Sequence, residues 1–260
     1  KNQIMLLKSK ILGEGDHTLI ILHGFLGMSD NWNSYAKKMI TYGFKIHLID
    51  QRNHGESFHS YDFSYKILAN DLKLYVDHYN LNNFSIIGHS MGGKTAMMFS
   101  DLFPKNINKL IIVDILPIYY KNNYENILKS LKKLDLKNIS SRSEATSALS
   151  DSFPDPSFRA FLLRNLFRKN ESELAFRIDL DIIYYNLREI EIALPKDLFF
   201  DGKTLFIKGD KSDYIDDKKM VLTRKQFPNS KLVNISNAGH WVHAENLKDF
   251  IEETLFFLKS

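Results

Sequence analysis

A serine lies in a turn between an apolar run and a helix-forming run, a place where a catalytic nucleophile can be held. Residues 88–93 read Gly-His-Ser-Met-Gly-Gly, with the apolar run at 84–87 before them and the helix-prone run at 94–99 after them. The glycines two positions before and after Ser90 leave room for a tight strand-to-helix turn, in which the serine backbone is strained. The hydroxyl would stand at the positive end of the next helix, where developing negative charge is favoured. This pattern predicts a nucleophile elbow with Ser90 as the nucleophile.

A tetrahedral intermediate on Ser90 needs hydrogen-bond donors for its oxyanion. The amide that follows the nucleophile belongs to Met91, and the loop at 23–27, which reads His-Gly-Phe-Leu-Gly after an apolar run, can supply a second amide. The glycines of this loop allow its backbone to approach the reaction site closely. We therefore predict that the backbone N–H groups of Phe25 and Met91 form the oxyanion hole, in preference to a purely structural turn.

The general base is predicted from a histidine that follows the last apolar run. His240 lies on the small-residue loop at 237–241, whereas His243 lies two intervening residues further on, where a helix is expected to begin. His240 is expected to take the proton from Ser90 and to pass it to the leaving group. Three histidines that accompany the other motifs are predicted to make structural hydrogen bonds: His23, His54 and His89.

The acid that orients the base has two candidates. In the common pattern it lies in a Gly-x-x-Asp frame after a late strand, but residues 209–212 read Gly-Asp-Lys-Ser and place Ser212 in that frame. Asp213 is the next residue, and Asp114 directly follows the apolar run at 109–113. A carboxylate among apolar neighbours is costly to bury unless it is paired. We predict Asp114 as the acid, with Ser212 as an auxiliary hydrogen-bond partner, and Asp213 stays open as the alternative.

Short apolar runs alternate with longer helical patterns along most of the chain, which predicts an α/β fold with a mostly parallel, doubly wound sheet. In such sheets ligands bind at the carboxyl ends of the strands, where the candidate residues lie. Strands are predicted at 19–22, 45–49, 84–87, 109–113, 204–207 and 231–235. Helices are predicted at 31–40, at 65–79 and directly after Ser90.

The alternation stops between residues 117 and 195, where the patterns predict an inserted helical cap, or lid. The core domain is then formed by residues 1–116 and 196–260. Cap helices are predicted at 124–134, 143–150, 156–167 and 180–189, and they carry many aromatic residues. A lid over a crevice usually contributes side chains to the pocket. The predicted pocket residues, from core and cap together, are Leu26, Trp241, Phe153 and Arg159.

A basic segment at 159–169 alternates Arg159, Arg164, Arg168 and Lys169 with large apolar residues. The pattern favours an amphipathic helix with a solvated basic face. A docking surface for an anionic group on a large substrate, such as a phosphopantetheine thioester, is the functional alternative.

Residues 50–57 follow a strand and are predicted to be structural. Arg52 and Asp50 are expected to form a charge-assisted hydrogen bond that ties the loop, and Gly55 supplies its turn. We expect no direct catalytic role for this loop.

The composition limits the function classes. The chain has 260 residues, a net charge of +4 and no cysteine, which excludes disulfides, a thiolate nucleophile and cysteine-ligated metals. No apolar stretch approaches the roughly 20 residues that span a bilayer, and residues 4–7 lack the features of a signal peptide. We expect a cytoplasmic protein without cofactor, metal, membrane or nucleic-acid partner, either a monomer or a weak homodimer.

Five motifs together resemble those of the α/β-hydrolase superfamily and, more narrowly, those of the YbfF-type bacterial esterases. The motifs are residues 23–27, 50–57, 88–94, 114–117 and 239–245, which occur in the same order and spacing. The resemblance covers almost the whole chain outside the cap. It implies that the acid follows the strand after the elbow helix and that a serine occupies the later frame, which assigns these places to Asp114 and Ser212.

The resemblance further implies hydrolysis of carboxylic esters, including acyl-CoA thioesters. The cap departs from the family pattern, so the resemblance does not identify the substrate of this chain. We predict a serine carboxylesterase that forms an acyl-enzyme on Ser90. Another reaction of the same triad, such as carbon–carbon hydrolysis or a lyase reaction, is the alternative, and a non-catalytic binding protein with this fold is a further one. Dehalogenation would need an aspartate at position 90.

Overall fold

Seven strands form one mostly parallel sheet, whose central strands are the apolar runs of the sequence. The computed structural model describes residues 5–170 and 173–260. The strand order is β1-β3-β2-β4-β5-β8-β9, in which only β1 runs antiparallel to its neighbour, while β6 and β7 form a separate hairpin. The predicted α/β fold is confirmed. The strands are β1 (Ser9–Leu12), β2 (His17–Leu22), β3 (Phe44–Ile49), β4 (Phe84–His89), β5 (Ile107–Val113), β6 (Leu166–Arg168), β7 (Leu174–Phe176), β8 (Thr204–Gly209) and β9 (Ser230–Ile235).

Helices cover both faces of the sheet. Ile20 and Leu22 of β2 belong to one apolar cluster, and Leu19 and Ile21 belong to another, because successive side chains of a strand point to opposite faces. None of the helices in the described residues has the length and apolar character needed to cross a membrane. The helices are α1 (Asn33–Met39), α2 (Tyr65–His78), α3 (Met91–Leu102), α4 (Tyr124–Lys132), α5 (Arg142–Ala148), α6 (Pro156–Leu163), α7 (Leu180–Tyr185), α8 (Leu187–Glu191), α9 (Asp217–Thr223), α10 (Val242–Glu245) and α11 (Leu247–Lys259).

The two clusters belong to different helices. The first contains side chains of α2 and α3, and the second contains side chains of α1 and α11. The sheet is therefore buried on both sides, and the loops at the carboxyl ends of its strands carry the polar residues.

The segment between β5 and β8 contains α4 to α8 and the hairpin. We call the part of it at residues 117–195 the cap. Its exact boundaries and its standing as a separate domain stay predictions. Residues 1–4 of the predicted core, including the start of the segment at 4–7, lie outside the described residues, as do residues 171 and 172 of the predicted cap.

The prediction of one helix over residues 156–167 is wrong at its end. Helix α6 stops at Leu163, and Asn165 is buried two residues later. The Asn165 amide donates hydrogen bonds to the carbonyls of Leu26 (2.7 Å) and Leu162 (3.2 Å), which diverts the chain from the helix into the hairpin.

The predicted amphipathic basic helix at 159–169 is consequently absent from the described structure. Its arginines donate instead to backbone carbonyls in different parts of the chain. Arg159 bonds Phe153 and Pro154, Arg164 bonds Asp30, and Arg168 bonds Ser140.

A buried lysine joins the cap to the helix that follows Ser90. Lys94 of α3 donates from Nζ to the carbonyls of Ile192 (2.5 Å) and Glu191 (3.3 Å) at the end of α8. Its ammonium group lies 5.4 Å and 5.2 Å from the ring centroids of Tyr65 and Tyr120. Burial lowers the pKa of Lys94 from 10.5 to about 7, although Glu191 opposes the shift.

We predict that Lys94 makes stability depend on pH between pH 7 and pH 10. In this range the unfolded chain holds a proton on Lys94 that the folded chain has largely lost, so the free energy of unfolding rises with pH. The gain is at most about 1.4 kcal/mol per pH unit for one proton. Lys94→Met removes this pH-dependent contribution. The free energy of unfolding measured with urea should therefore rise more steeply with pH in the wild type than in the variant.

Lys248→Met is the matched control, because Lys248 is an exposed lysine on α11. Equal pH slopes for the two variants would contradict the prediction.

Candidate active site

The turn between β4 and α3 holds Ser90 in a strained backbone conformation. Ser90 has φ 52° and ψ −116°, and it is almost completely buried. A side chain on Gly88 would place Cβ 2.3 Å from the Gly92 carbonyl oxygen, and one on Gly92 would lie 2.4 Å from that of Leu22. Both positions therefore require glycine, and the strain at Ser90 is maintained by the packing of strand, turn and helix.

His240 and Asp114 are in direct contact at the carboxyl edge of the sheet. Nδ1 of His240 lies 2.8 Å from Oδ2 of Asp114, which has no exposed surface. Asp114 also accepts hydrogen bonds from the hydroxyl of Ser212 and from the backbone N–H of Gly209 (3.3 Å). A proton on Nδ1 leaves Nε2 of His240 as the nitrogen that can accept one. The side chain of the alternative acid, Asp213, is exposed.

The loop at 23–27 passes beside the serine. A Cβ atom on Gly24 would lie 2.7 Å from Nδ1 of His89 and 3.3 Å from Cβ of Ser90, so the loop passes too close to them to carry a side chain at this position. Phe25 comes next in this loop, and Met91 is the first residue of α3, whose first N–H groups have no partner within the helix. The structure thus places Phe25 in the same cavity lining as Ser90, which Met91 follows directly in the chain, and the oxyanion hole stays a prediction.

Two buried histidines hold this loop in place. Nε2 of His23 accepts from the N–H of Gln51 (3.0 Å), so its Nδ1 donates to the carbonyl of Gly24 (2.8 Å). Nε2 of His54 accepts from the N–H of Leu26 (3.3 Å), a residue with φ 59°. Burial lowers the pKa of His23 to about 4 and that of His54 to about 3, so both rings are neutral acceptors near pH 7.

The loop at 50–57 is structural, but its predicted ion pair is wrong. Arg52 pairs with Asp71 of α2 through two hydrogen bonds, from Nε (2.6 Å) and from Nη2 (2.8 Å). Asp50 instead accepts from the backbone N–H groups of Ser29 (2.7 Å) and Glu56 (2.9 Å). The guanidinium prefers Asp71 because that carboxylate offers both oxygens to its planar fork.

Ser90 and His240 line a cavity of about 220 Å³, which we call the catalytic cavity. Of the predicted pocket residues, Leu26 and Trp241 line it. Phe153 and Arg159 are not among its lining residues in the described part of the chain; the Phe153 ring packs 5.4 Å from that of Phe158. The aromatic residues of the lining that the pocket prediction missed are Tyr124, Phe158, Phe161 and Tyr214.

Tyr214 lies flat against the imidazole of His240. The ring centroids are 3.9 Å apart and the planes differ by 19°. The Tyr214 hydroxyl donates to Oδ1 of Asn122 (3.0 Å), and its carbonyl accepts from the hydroxyl of Tyr120 (2.7 Å). Tyr214 is two residues after Ser212, so the same loop that contacts Asp114 also fixes one face of the imidazole.

Residues 17–177 match the family model of the alpha/beta hydrolase fold. The chain belongs to the α/β-hydrolase family. A solved structure of a marine microorganism esterase is 41% identical, with a TM-score of 0.94 over 98% of this chain and 100% of that chain.

Two curated relatives agree with this assignment. The sn-1-specific diacylglycerol lipase ABHD11 of Mus musculus is 32% identical over 94% of this chain and 83% of its own length. Esterase YbfF of Escherichia coli is 28% identical over 87% of each chain, which confirms the predicted resemblance. The chain is a serine hydrolase of the ester-hydrolysing class.

We predict that His54 makes the folded protein less stable as the pH falls from 6.5 towards 4. The unfolded chain gains a proton on this histidine near pH 6.5, whereas the folded chain does not until about pH 3. His54→Gln removes this contribution, which is at most about 1.4 kcal/mol per pH unit. Urea unfolding over this range should therefore show a smaller loss of stability in the variant than in the wild type.

His59→Gln serves as the control, because His59 is exposed. The prediction is wrong if both variants follow the wild-type pH dependence.

Proposed function

We propose that the protein is a serine carboxylesterase with Ser90 as nucleophile, His240 as general base and acid, and Asp114 as the acid of the triad. The observation that carries this proposal is the 2.8 Å contact of the buried Asp114 with His240, which lines a cavity together with the strained Ser90. A buried carboxylate fixes the tautomer of the imidazole and stabilises the imidazolium that forms during the reaction. Ser212 is proposed as an auxiliary residue that orients Asp114.

The proposed reaction proceeds in two steps. Ser90 attacks the ester carbonyl while His240 takes its proton, and the amides of Phe25 and Met91 stabilise the oxyanion. His240 then protonates the leaving alcohol, which departs and leaves the acyl group on Ser90. A water molecule, deprotonated by His240, attacks this acyl-enzyme. His240 then gives that proton to Oγ of Ser90 as the bond to the acyl group breaks, which releases the acid and restores the enzyme. No step requires a cofactor or a metal ion.

We propose that the substrates are small-molecule esters whose acyl group carries no charge. The lining of the catalytic cavity is mostly aromatic and aliphatic, and its volume of about 220 Å³ suits a small acyl group. Relatives named as esterases, and one named as a diacylglycerol lipase, support ester cleavage. Acyl thioesters are included as a second substrate type, since the same nucleophile attacks their carbonyl. The cytoplasmic location and the monomeric or weakly dimeric state stay predictions.

We predict that wild-type protein hydrolyses p-nitrophenyl acetate and butyrate and that Ser90→Ala reduces kcat by about 10⁴-fold or more, because the variant has no nucleophile. Release of p-nitrophenol measures the rate, and circular dichroism verifies that the variant is folded. Acetyl-CoA and butyryl-CoA, followed by thiol release, test thioesters in the same series. Equal rates in wild type and Ser90→Ala would contradict the proposal.

We predict that Asp114→Asn lowers kcat by about 10³- to 10⁴-fold, since an amide cannot stabilise the imidazolium of His240. Ser212→Ala should lower it by about tenfold, because one hydrogen bond to the carboxylate is lost. Asp213→Asn, an exposed neighbour, is the matched control and should retain wild-type kcat. Loss of activity in Asp213→Asn, with activity retained in Asp114→Asn, would overturn the assignment of the acid.

A further inference from the structure

Two cavities meet at Ser90. The residues that line both of them separate one cavity from the other, and we call these residues the partition. The catalytic cavity of about 220 Å³ lies on one side, and an inner cavity of about 10 Å³ lies on the other. Four residues line both cavities and form the partition: Ser90, Asn122, Tyr124 and Tyr214. Ser90 is fixed by its turn, so the side chains of the other three set the boundary.

The inner cavity is lined by residues of both the core and the cap. Its lining includes Tyr65, Lys94, Ile115 and Ile190, whose side chains are all buried. A volume of about 10 Å³ is at the lower limit for one water molecule. No substrate group fits there while the partition is in place.

Tyr124 is the member of the partition that belongs to a helix of the cap. It is the first residue of α4, and it lines both cavities together with Ser90 and Tyr214. Its ring lies 4.4 Å from that of Phe25, between centroids. The ring therefore packs against the loop at 23–27, and it lines the catalytic cavity together with Tyr214, which stacks on His240. Burial raises the pKa of Tyr124 well above its ordinary value, so the hydroxyl remains protonated.

We propose that Tyr124 is a specificity-determining residue that limits the length of the acyl group by closing the catalytic cavity against the inner one. This inference rests on the proposed esterase function and deepens it. The wild-type enzyme then prefers short acyl groups, such as acetyl and butyryl. Removal of the Tyr124 ring joins the two cavities and admits a longer chain.

The chemistry of the two steps indicates why the acyl group, and not the alcohol, is the part that Tyr124 limits. The alcohol must leave the protein between the two steps, and the inner cavity, with the buried Tyr65, Lys94, Ile115 and Ile190 in its lining, offers it a poor route. The acyl group stays covalently attached to Ser90 until water releases it, so it can occupy a closed space. The ring of Tyr124 lies where that space begins.

The test compares acyl-chain profiles of Tyr124→Ala, Tyr124→Phe and wild type. With p-nitrophenyl acetate and octanoate, Tyr124→Ala should raise the octanoate-to-acetate ratio of kcat/KM by about tenfold or more, since one methylene in a pocket already counts for about that much. Tyr124→Phe keeps the ring, so its ratio should stay near that of the wild type even where its kcat differs. A parallel series of acetate esters with alcohols of increasing length should show the same profile in all three proteins.

Further variants keep the proposal falsifiable. Tyr124→Val should act as Tyr124→Ala does and serves if the alanine variant does not fold. Tyr185→Ala is the control for removal of a cap tyrosine, because Tyr185 is 74% exposed.

Three results would overturn the proposal: an unchanged ratio in the folded small-residue variants, an equal rise in Tyr124→Phe, or a change in the alcohol profile alone. Failure of the esterase function is distinguishable from these, since it shows in the wild type as an absence of Ser90-dependent turnover.

Discussion

The carboxylate of Asp114 has no exposed surface, and its need for partners determines how the carboxyl edge of the sheet is arranged. An unpaired charge at this depth would be costly. The carboxylate of Asp114 is therefore hydrogen-bonded to Nδ1 of His240, to the hydroxyl of Ser212 and to the N–H of Gly209. These partners come from the end of β8, from the loop after it and from the loop after β9, whereas Asp114 itself follows β5. Ser90 follows β4, the next strand, and its N–H donates to the carbonyl of Val113, the residue before Asp114. Nucleophile and acid are thus linked through adjacent parallel strands.

A second group of buried polar side chains, on α3 and on the loops at 23–27 and 50–57, supports this edge. His54 accepts from the N–H of Leu26 and His23 accepts from that of Gln51, so each loop fixes the other, and Lys94 ties the end of α8 to the helix that begins after Ser90. Burial lowers the pKa of each of these groups. As the pH falls below the pKa of the group in the unfolded chain, each therefore lowers the free energy of unfolding, which an apolar residue in its place would not do. In return for this loss of stability, the hydrogen bonds of these groups hold the backbone near the nucleophile in one position, which apolar packing alone fixes less specifically.

The sequence was sufficient for the elements and residues that depend on local patterns. The six predicted strands of the sheet are long apolar runs, and Ser90 and His240 lie in short motifs that are themselves turns. The edge strand β1 has only four residues and is partly exposed, so its pattern is weak. The hairpin was missed because its strands have three residues each and Asn165, which diverts the chain, bonds a carbonyl far away in sequence. Asp114 and Asp213 each follow a strand, so the local pattern left both open. The burial argument and the resemblance favoured Asp114, and Asp114 is the one that His240 contacts in the structure. Tyr124 and Tyr214 were missed, since their places depend on how the cap meets the core.

The most direct test of the account is covalent labelling with a fluorophosphonate, a reagent that traps activated serine nucleophiles, followed by peptide mass spectrometry. We expect one adduct per chain, on the peptide that contains Ser90, with labelling slowed strongly in His240→Ala. The turn geometry would still be present in that variant, so slower labelling would report the loss of the base. An adduct on another residue, or no adduct on a folded protein that hydrolyses esters, would contradict Ser90 as the nucleophile.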